Sequence, residues 1–119
     1  MAFQPDRVVY KICTREAWQE AAEHGVLRPS LDDERDGYVH LSAAHQVRGS
    51  LLKHFSGQAG LVLLTIPEQS LPENALVWEV SRSGQAFPHL YTALRLAFVT
   101  EVVELALGID GLHQLPEGF

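Results

Sequence analysis

The stretch DGYVHLS at residues 36–42 contains the first residues that could carry chemistry. Its alternation predicts a strand whose aliphatic residues take one face while Tyr38, His40 and Ser42 share the other. Ser42 also stands where a helix N-cap belongs, so an imidazole, a hydroxyl and free helix N–H groups would meet at one corner. Such a corner suits an anion or a ribose hydroxyl. The alternatives are that Ser42 only caps the helix and that His40 is buried and bonded to backbone.

The stretch FPHLY at residues 87–91 contains the second set. Pro88 restricts the residue before it to extended geometry, so His89 is presented from a fixed backbone. His89 and Tyr91 lie two residues apart and therefore share one face of an extended segment. An imidazole beside a phenol suits a polar ring or a sugar. The alternative is an aromatic core in which the Tyr91 hydroxyl is internally bonded.

Glu79 and Lys11 are charged residues within apolar stretches that read as strands. Glu79 either lies on a solvated face or is held in a cleft with a raised pKa. Lys11 either points into the same cleft or is an ordinary exposed lysine. We therefore predict one cleft, with catalytic candidates His40, His89 and Glu79 and ligand-binding candidates Lys11, Tyr38, Ser42 and Tyr91.

The six histidines and the single cysteine raise the question of a metal or a thiol nucleophile. His45 and His54 are nine residues apart, on opposite sides of a helix, and neither HExxH nor a Cys/His zinc spacing occurs. The sequence therefore predicts no metal site. Cys13 has no partner for an internal disulfide and no adjacent activating residues, so we predict that it packs in the core.

The elements that must position these residues follow from apolar periodicity and from turn residues. We predict one domain of residues 1–119, with an ordered core of about 7–110, in the order β-α-β-α and then several strands. That order favours an α+β fold with a mixed or antiparallel sheet. The predicted elements are a strand Val8–Cys13, a helix from the N-cap Thr14 to Gly25, a polar loop Arg28–Asp36, a strand Gly37–Leu41, a helix from Ser42 to Gly57, strands Leu61–Ile66, Leu76–Val80 and Phe87–Tyr91, and one or two more strands from Leu94–Val99 and Val102–Leu107.

Composition narrows the classes of function. The formal net charge of −6 argues against non-specific nucleic-acid binding, which needs clustered Lys and Arg. It leaves room for a small anionic ligand held by one or two local cations. The sequence shows no signal peptide and no apolar run that would span a bilayer, so we expect a cytoplasmic protein without a membrane partner. It says nothing about oligomeric state.

Short motifs in a fixed order resemble one family over nearly the whole chain, from about Val8 to Leu107. The motifs are YKI at 10–12, the helix from Trp18 to Gly25, DGYVHLS at 36–42, Gln46, HF at 54–55, LVLL at 61–64, WE at 78–79 and FPHLY at 87–91. Together they are similar to the domain-of-unknown-function family numbered 952, which consists of small bacterial proteins without an established activity.

The resemblance implies an ADP-ribosyltransferase-like fold, with strongly bent mixed or antiparallel β-sheets, two N-terminal helices and a cleft for NAD or a related ribose phosphate. It places His40 and Ser42 in one motif and His89 and Tyr91 in another, and Lys11 where members often carry His. Glu79 is the candidate for the catalytic glutamate of such transferases. The resemblance implies NAD as a substrate and no separate cofactor.

We therefore expect a small-ligand-binding domain. It is either an ADP-ribosyltransferase-like enzyme that transfers ADP-ribose or a 2′-phosphate, or a non-catalytic binding or protein-interaction module that retains the fold.

Overall fold

The computed structural model describes residues 7–81 and 83–119, and within them the chain forms six strands and three α-helices. Two short 3-10 turns, Glu68–Ser70 and Leu96–Phe98, connect some of them. No helix of this described part is long and apolar enough to cross a membrane. In chain order the elements are β1 (Val8–Thr14), α1 (Arg15–His24), α2 (Leu31–Asp36), β2 (Val39–His40), α3 (Ala44–His54), β3 (Leu61–Pro67), β4 (Leu76–Val80), β5 (Ala86–Leu90) and β6 (Glu101–Leu105).

The strands form two three-stranded sheets, and every strand pairing is antiparallel. The first sheet has the order β1-β3-β6 and the second has the order β2-β5-β4. A short bridge joins the two sheets: the backbones of Tyr10 in β1 and of Ser42, just after β2, exchange hydrogen bonds of 2.8 and 2.9 Å. This bridge holds the end of β2 beside β1.

The expected ADP-ribosyltransferase-like arrangement is wrong. Instead of strongly bent mixed or antiparallel sheets behind two N-terminal helices, the α+β structure has two separate, purely antiparallel sheets and three helices. The pattern of apolar residues predicted most strands correctly, but it carries little information about which strand pairs with which. The topology was expected from the likeness of short motifs, and such a likeness does not determine strand order.

The core lies on both faces of the first sheet. β3, at its centre, is buried on both sides, as its uninterrupted apolar sequence predicts. One face packs against Ala21 of α1 and against apolar residues of the second sheet, including Leu90. The other face packs against Val47 and Leu51 of α3. The first sheet is thus the fixed layer to which α3 and the second sheet are attached.

The ends of α1 agree with the sequence, and the start of α3 does not. The Thr14 hydroxyl accepts a hydrogen bond of 3.1 Å from the Ala17 N–H, and α1 ends at Gly25. The predicted cap Ser42 is not the N-cap of α3, because its backbone pairs with β1. Ala43 takes that position, and its N–H donates 2.9 Å to the side-chain oxygen of Gln46.

One further prediction about the elements was wrong. Residues 28–36 are not all loop, since α2 occupies Leu31–Asp36. A reciprocal capping box starts α2: the Asp33 N–H donates to the Ser30 hydroxyl, and the Ser30 N–H donates to the Asp33 carboxylate. Of the one or two strands predicted after residue 93, one is present as β6, and the segment Leu94–Val99 contains the 3-10 turn Leu96–Phe98.

Candidate functional site

The second sheet brings the two histidine-containing stretches together. His40 of β2 and His89 of β5 are direct partners across the antiparallel pair, and their ring centroids are 5.8 Å apart. Tyr38 stacks on His89 with centroids 3.9 Å apart and an interplanar angle of 21°. Its ring also lies 4.7 Å from that of His40 and 5.4 Å from that of Tyr91. Tyr38 therefore stands at the centre of a four-ring cluster.

A cleft of about 530 Å³ opens beside this cluster, between the second sheet and α3. Its volume lies within the range usual for small-molecule sites. The second sheet and the residue before β2 contribute Tyr38, His40, Phe87 and His89, and β1 and α2 contribute Lys11 and Asp33; α3 contributes His45, Gln46, Gly49, Ser50, Lys53 and His54.

The side of the cleft nearest α2 is organised by the buried carboxylate of Asp33. Lys11 donates to it at 3.0 Å, and the backbone N–H and ring Nδ1 of His40 donate at 3.0 and 2.7 Å. Lys11 also donates to the His40 carbonyl oxygen at 3.2 Å. Lys11 is therefore not an exposed lysine: it is buried and lines the cleft, and its ammonium group is bound to Asp33.

These contacts set the charge states of both partners. Burial by itself would raise the pKa of Asp33, but the hydrogen bonds from His40 and the charge of Lys11 outweigh burial and hold that pKa well below its usual range. The hydrogen bond to Asp33 in turn raises the pKa of His40. The result is a carboxylate that stays ionised and an imidazole that favours its charged form.

His40 is also held at its other ring nitrogen. Its Nε2 lies 2.9 Å from the Asp36 carboxylate, whose pKa is lowered to about 2, mainly by the hydrogen bond from Arg35. A carboxylate can only accept, so both ring nitrogens of His40 must donate, and the ring is an imidazolium while both bonds persist. An imidazolium of this kind ties α2 to β2 and has no nitrogen left to accept a proton.

His89 has a different environment. Its side chain is only 9% exposed, and Nδ1 lies 2.7 Å from the Glu79 carboxylate. The Tyr91 hydroxyl donates 2.6 Å to the same Glu79 oxygen. The hydrogen bond from Tyr91, and after it the one from His89, lower the pKa of Glu79. The bond to Glu79 in turn raises the pKa of Tyr91 to about 12. Of the two alternatives for Glu79, the one with a raised pKa is wrong, because two donors stabilise its ionised form.

The predicted site residues divide into two groups in the structure. Lys11, Tyr38, His40, Ser42 and His89 line the cleft. Glu79 and Tyr91 are outside its lining and connect to it through the His89 ring. Their assignment as catalytic or ligand-binding residues stays a prediction.

Sequence reasoning missed the acids Asp33 and Asp36 and the α3 side of the cleft. The S-x-x-D spacing of Ser30 and Asp33 was a readable signal for the start of a helix. Nothing in the local pattern showed that the same carboxylate would meet Lys11, 22 residues earlier. The α3 side has a signal of its own, because residues 37–67 contain no Asp or Glu.

The two remaining predictions of this kind concern metal and thiol chemistry. Within residues 7–81 and 83–119, no group of three or more His, Cys, Asp or Glu side chains is arranged to hold a metal ion. Cys13 is buried in the core, where burial raises the pKa of its thiol to about 11. That environment fits a packing role, because the reactive form of cysteine is the thiolate.

Comparison with known proteins identifies the family. The model of the family described as "Protein of unknown function (DUF952)" matches residues 12–102, which include both histidine stretches. The chain belongs to this family. No curated protein matches this DUF952 domain.

Solved structures of one relative share the fold. The crystal structure of protein CC0527 from Caulobacter crescentus is 42% identical, with a TM-score of 0.84, and the match covers 90% of this chain and 93% of that one. The solution NMR structure of CC0527 is 43% identical, with a TM-score of 0.80, and the match covers 90% of this chain and 91% of that one. The arrangement of two antiparallel sheets is thus common to this chain and a bacterial relative.

Proposed function

We propose that this DUF952 domain binds a small anionic molecule in the cleft between α3 and the second sheet. The observation that carries the proposal is the charge of the α3 side. The whole chain has a formal net charge of −6, yet the α3 residues that line the cleft include Lys53, His45 and His54 and no acid. On the opposite side, the acids Asp32 and Asp33 are paired with Arg35 and Lys11. A concave surface with an unbalanced charge concentrates ligands of the opposite sign.

The α3 residues that face the cleft are suited to an anion in shape as well as charge. His45, Gly49 and Lys53 follow one another at intervals of four and so form one row along the helix. Lys53 and His45 are exposed and reach solvent. A side-chain carbon built onto Gly49 meets no atom within 4 Å, so this glycine leaves open space and does not serve close packing.

The cation that would hold the anion is Lys53 rather than Lys11. Lys11 is neutralised by Asp33, and its ammonium group already donates to that carboxylate and to a carbonyl. Across the cleft, the rings of Tyr38 and His89 offer polar aromatic surface to the rest of the ligand. A nucleotide or a ribose phosphate combines an anionic group with such a ring and is the class we propose.

Ligand-induced stabilisation tests the proposal directly. Thermal unfolding is followed at low salt with inorganic phosphate, a nucleoside monophosphate, ADP-ribose and NAD, each at millimolar concentration. A bound ligand stabilises the folded state by about 2.7 kcal/mol at a hundredfold excess over Kd and therefore raises the midpoint. Salt weakens the binding of an anion and so reduces the shift. If none of the four shifts the midpoint, the proposal is wrong and the interaction module takes its place.

Two matched pairs of variants locate the binding site. Gly49→Leu fills the open space of the cleft and should abolish the shift, whereas Gly49→Ala should largely retain it; both changes suit a helix. Lys53→Ala should weaken binding, whereas Arg48→Ala removes a cation of the same helix outside the cleft and should not. Equal effects of Lys53→Ala and Arg48→Ala would mean that the anion is attracted by general charge alone.

A further inference from the structure

The two histidines that share the cleft differ in the number of carboxylates that hold them. His40 has one carboxylate on each ring nitrogen, Asp33 on Nδ1 and Asp36 on Nε2. His89 has one, Glu79 on Nδ1. Among the residues that the structure describes, no protein atom is hydrogen-bonded to the Nε2 of His89, and its ring lines the cleft.

We propose that His89 is a catalytic general base whose Nε2 accepts a proton from a hydroxyl group of the bound anionic molecule or from a water beside it, and that Glu79 is its positioning residue. The inference rests on the proposed function, because it places the proton acceptor in the cleft proposed to bind the ligand. It adds a reaction class to that cleft, namely proton transfer from an O–H group.

The position of the ring proton follows from the partner of Nδ1. The Glu79 carboxylate is ionised and can only accept, so the hydrogen bond requires the proton on Nδ1. That leaves the lone pair of the imidazole on Nε2. The same division of tasks between a carboxylate and an imidazole orients the general base in hydrolytic triads.

The proton balance closes within the cleft. His89 Nε2 takes the proton as the O–H bond breaks, and the ring becomes an imidazolium. Glu79, 2.7 Å from Nδ1, stabilises that positive charge. The imidazolium then donates the proton to the oxygen of the leaving group as the bond to that oxygen breaks. No oxidant or reductant takes part.

The neighbouring rings restrict how His89 can lie. The Tyr38 ring stacks on the His89 ring with centroids 3.9 Å apart. The Tyr91 hydroxyl donates to Glu79 and so holds the carboxylate that binds Nδ1. The imidazole is therefore held both at its face and at Nδ1. A base held in this way needs little reorganisation when a proton is transferred.

Ethoxyformylation by diethyl pyrocarbonate measures the free lone pair without any need for the anionic ligand. An imidazole nitrogen attacks a carbonyl carbon of the reagent, and the ring nitrogen gains an ethoxyformyl group while carbon dioxide and ethanol are released. Peptide mass spectrometry at pH 7 gives a separate rate for each histidine. The exposed His24, outside the cleft, is the internal reference.

We expect His89 to be modified at least about tenfold faster than His40, although His89 is the more buried ring, because in the described residues both nitrogens of His40 are hydrogen-bonded and the Nε2 of His89 is not. Glu79→Gln should slow His89 by about tenfold, since a neutral amide no longer fixes the proton on Nδ1. Gly49→Leu should slow His89 by obstructing the cleft and leave His24 unchanged. Glu73→Gln, which neutralises an exposed carboxylate outside the cleft, is the matched control and should retain the rate.

The inference is overturned if His40 reacts as fast as His89, or if Glu79→Gln leaves the His89 rate unchanged in a folded protein. These outcomes are distinct from failure of the proposed function. A reactive, Glu79-dependent His89 in a protein that binds none of the four anions would refute the anion and keep the base. Anion binding with an unreactive His89 would refute the base alone.

Discussion

His40 and His89 face each other across one strand pair, yet the structure treats them as different groups. The His40 side is a network of Lys11, Asp33 and Asp36 that uses every polar atom of the ring. The His89 side is a single carboxylate contact, and in the part of the chain that the structure describes the other ring nitrogen has no hydrogen-bond partner. Equal position in a sheet therefore does not mean equal chemistry. The number and placement of the carboxylates decide whether an imidazole is a fixed cation or a proton acceptor.

The difference also concerns where the folding energy resides. Asp33 is almost fully buried, with 2% of its side chain exposed, whereas Glu79 is 39% exposed. A buried charge that loses its partner has no water to replace the lost contacts. We therefore expect the Asp33 network to support the fold and the Glu79 contact to support the site.

The largest effect should come from Asp33→Asn. The change leaves the Lys11 ammonium group buried without a counter-charge and removes an anchor of α2, at a cost of about 3–5 kcal/mol in the free energy of unfolding. Urea denaturation measures this loss. The matched control is Asp32→Asn in the same helix turn, where the carboxylate is 55% exposed and a nearly unchanged midpoint is expected. An Asp33→Asn variant as stable as the parent would show that the network does not hold α2.

A smaller effect should appear as a pH dependence of stability. The folded pKa of His40 is raised above the unfolded value of about 6.5, so its stabilisation is complete below about pH 6.5 and is lost as the pH rises through the folded pKa. The folded pKa of Asp33 is lowered, so its stabilisation is complete above about pH 4 and is lost as the pH falls through the folded value.

Stability should therefore be greatest between about pH 4 and pH 6.5. Urea midpoints measured across this range and up to pH 9 test the sign. In His40→Gln the alkaline decrease should become shallower, since the variant lacks the group that titrates there. Parallel pH profiles of the parent and His40→Gln would assign the decrease to other groups.

The smallest effect on stability is expected for Glu79→Gln. Its carboxylate is partly solvated and lies at the edge strand β4, so loss of the charge should leave the urea midpoint nearly unchanged while the reactivity of His89 falls. A large loss of stability would make Glu79 a structural residue like Asp33 and would remove the distinction between the two sides.

The sequence predicted the local elements better than their assembly. The caps of α1 at Thr14 and Gly25, the buried strand β3 and the strand β4 all follow from short-range patterns of apolar and turn residues. The strand predicted at Gly37–Leu41 also exists, as the shorter β2, but the pairing of β1 with β3 does not follow from such patterns. Strand pairing depends on contacts between residues far apart in the chain, which periodicity does not encode. The family resemblance did not supply it either, and the ADP-ribosyltransferase-like topology that it implied was wrong.

The site shows the same limit at the level of single residues. His40 and His89 were found because each lies in a strand with a polar face, and the structure makes them direct partners. Asp33 was not found, because residues 28–36 read as a solvated acidic loop. The buried bond between Asp33 and Lys11 joins α2 to β1, and only the assembled fold shows it. Sequence reasoning thus located the rings and missed the carboxylate that distinguishes them.

Nitrogen-15 NMR of the histidine rings at pH 7 tests the central distinction most directly, because it reports the protonation of each ring nitrogen. The structure predicts that His40 shows two protonated nitrogens, and that the neutral ring of His89 carries its proton on Nδ1 and its lone pair on Nε2. Two rings with the same signature, or a His89 whose lone pair lies on Nδ1, would contradict the account.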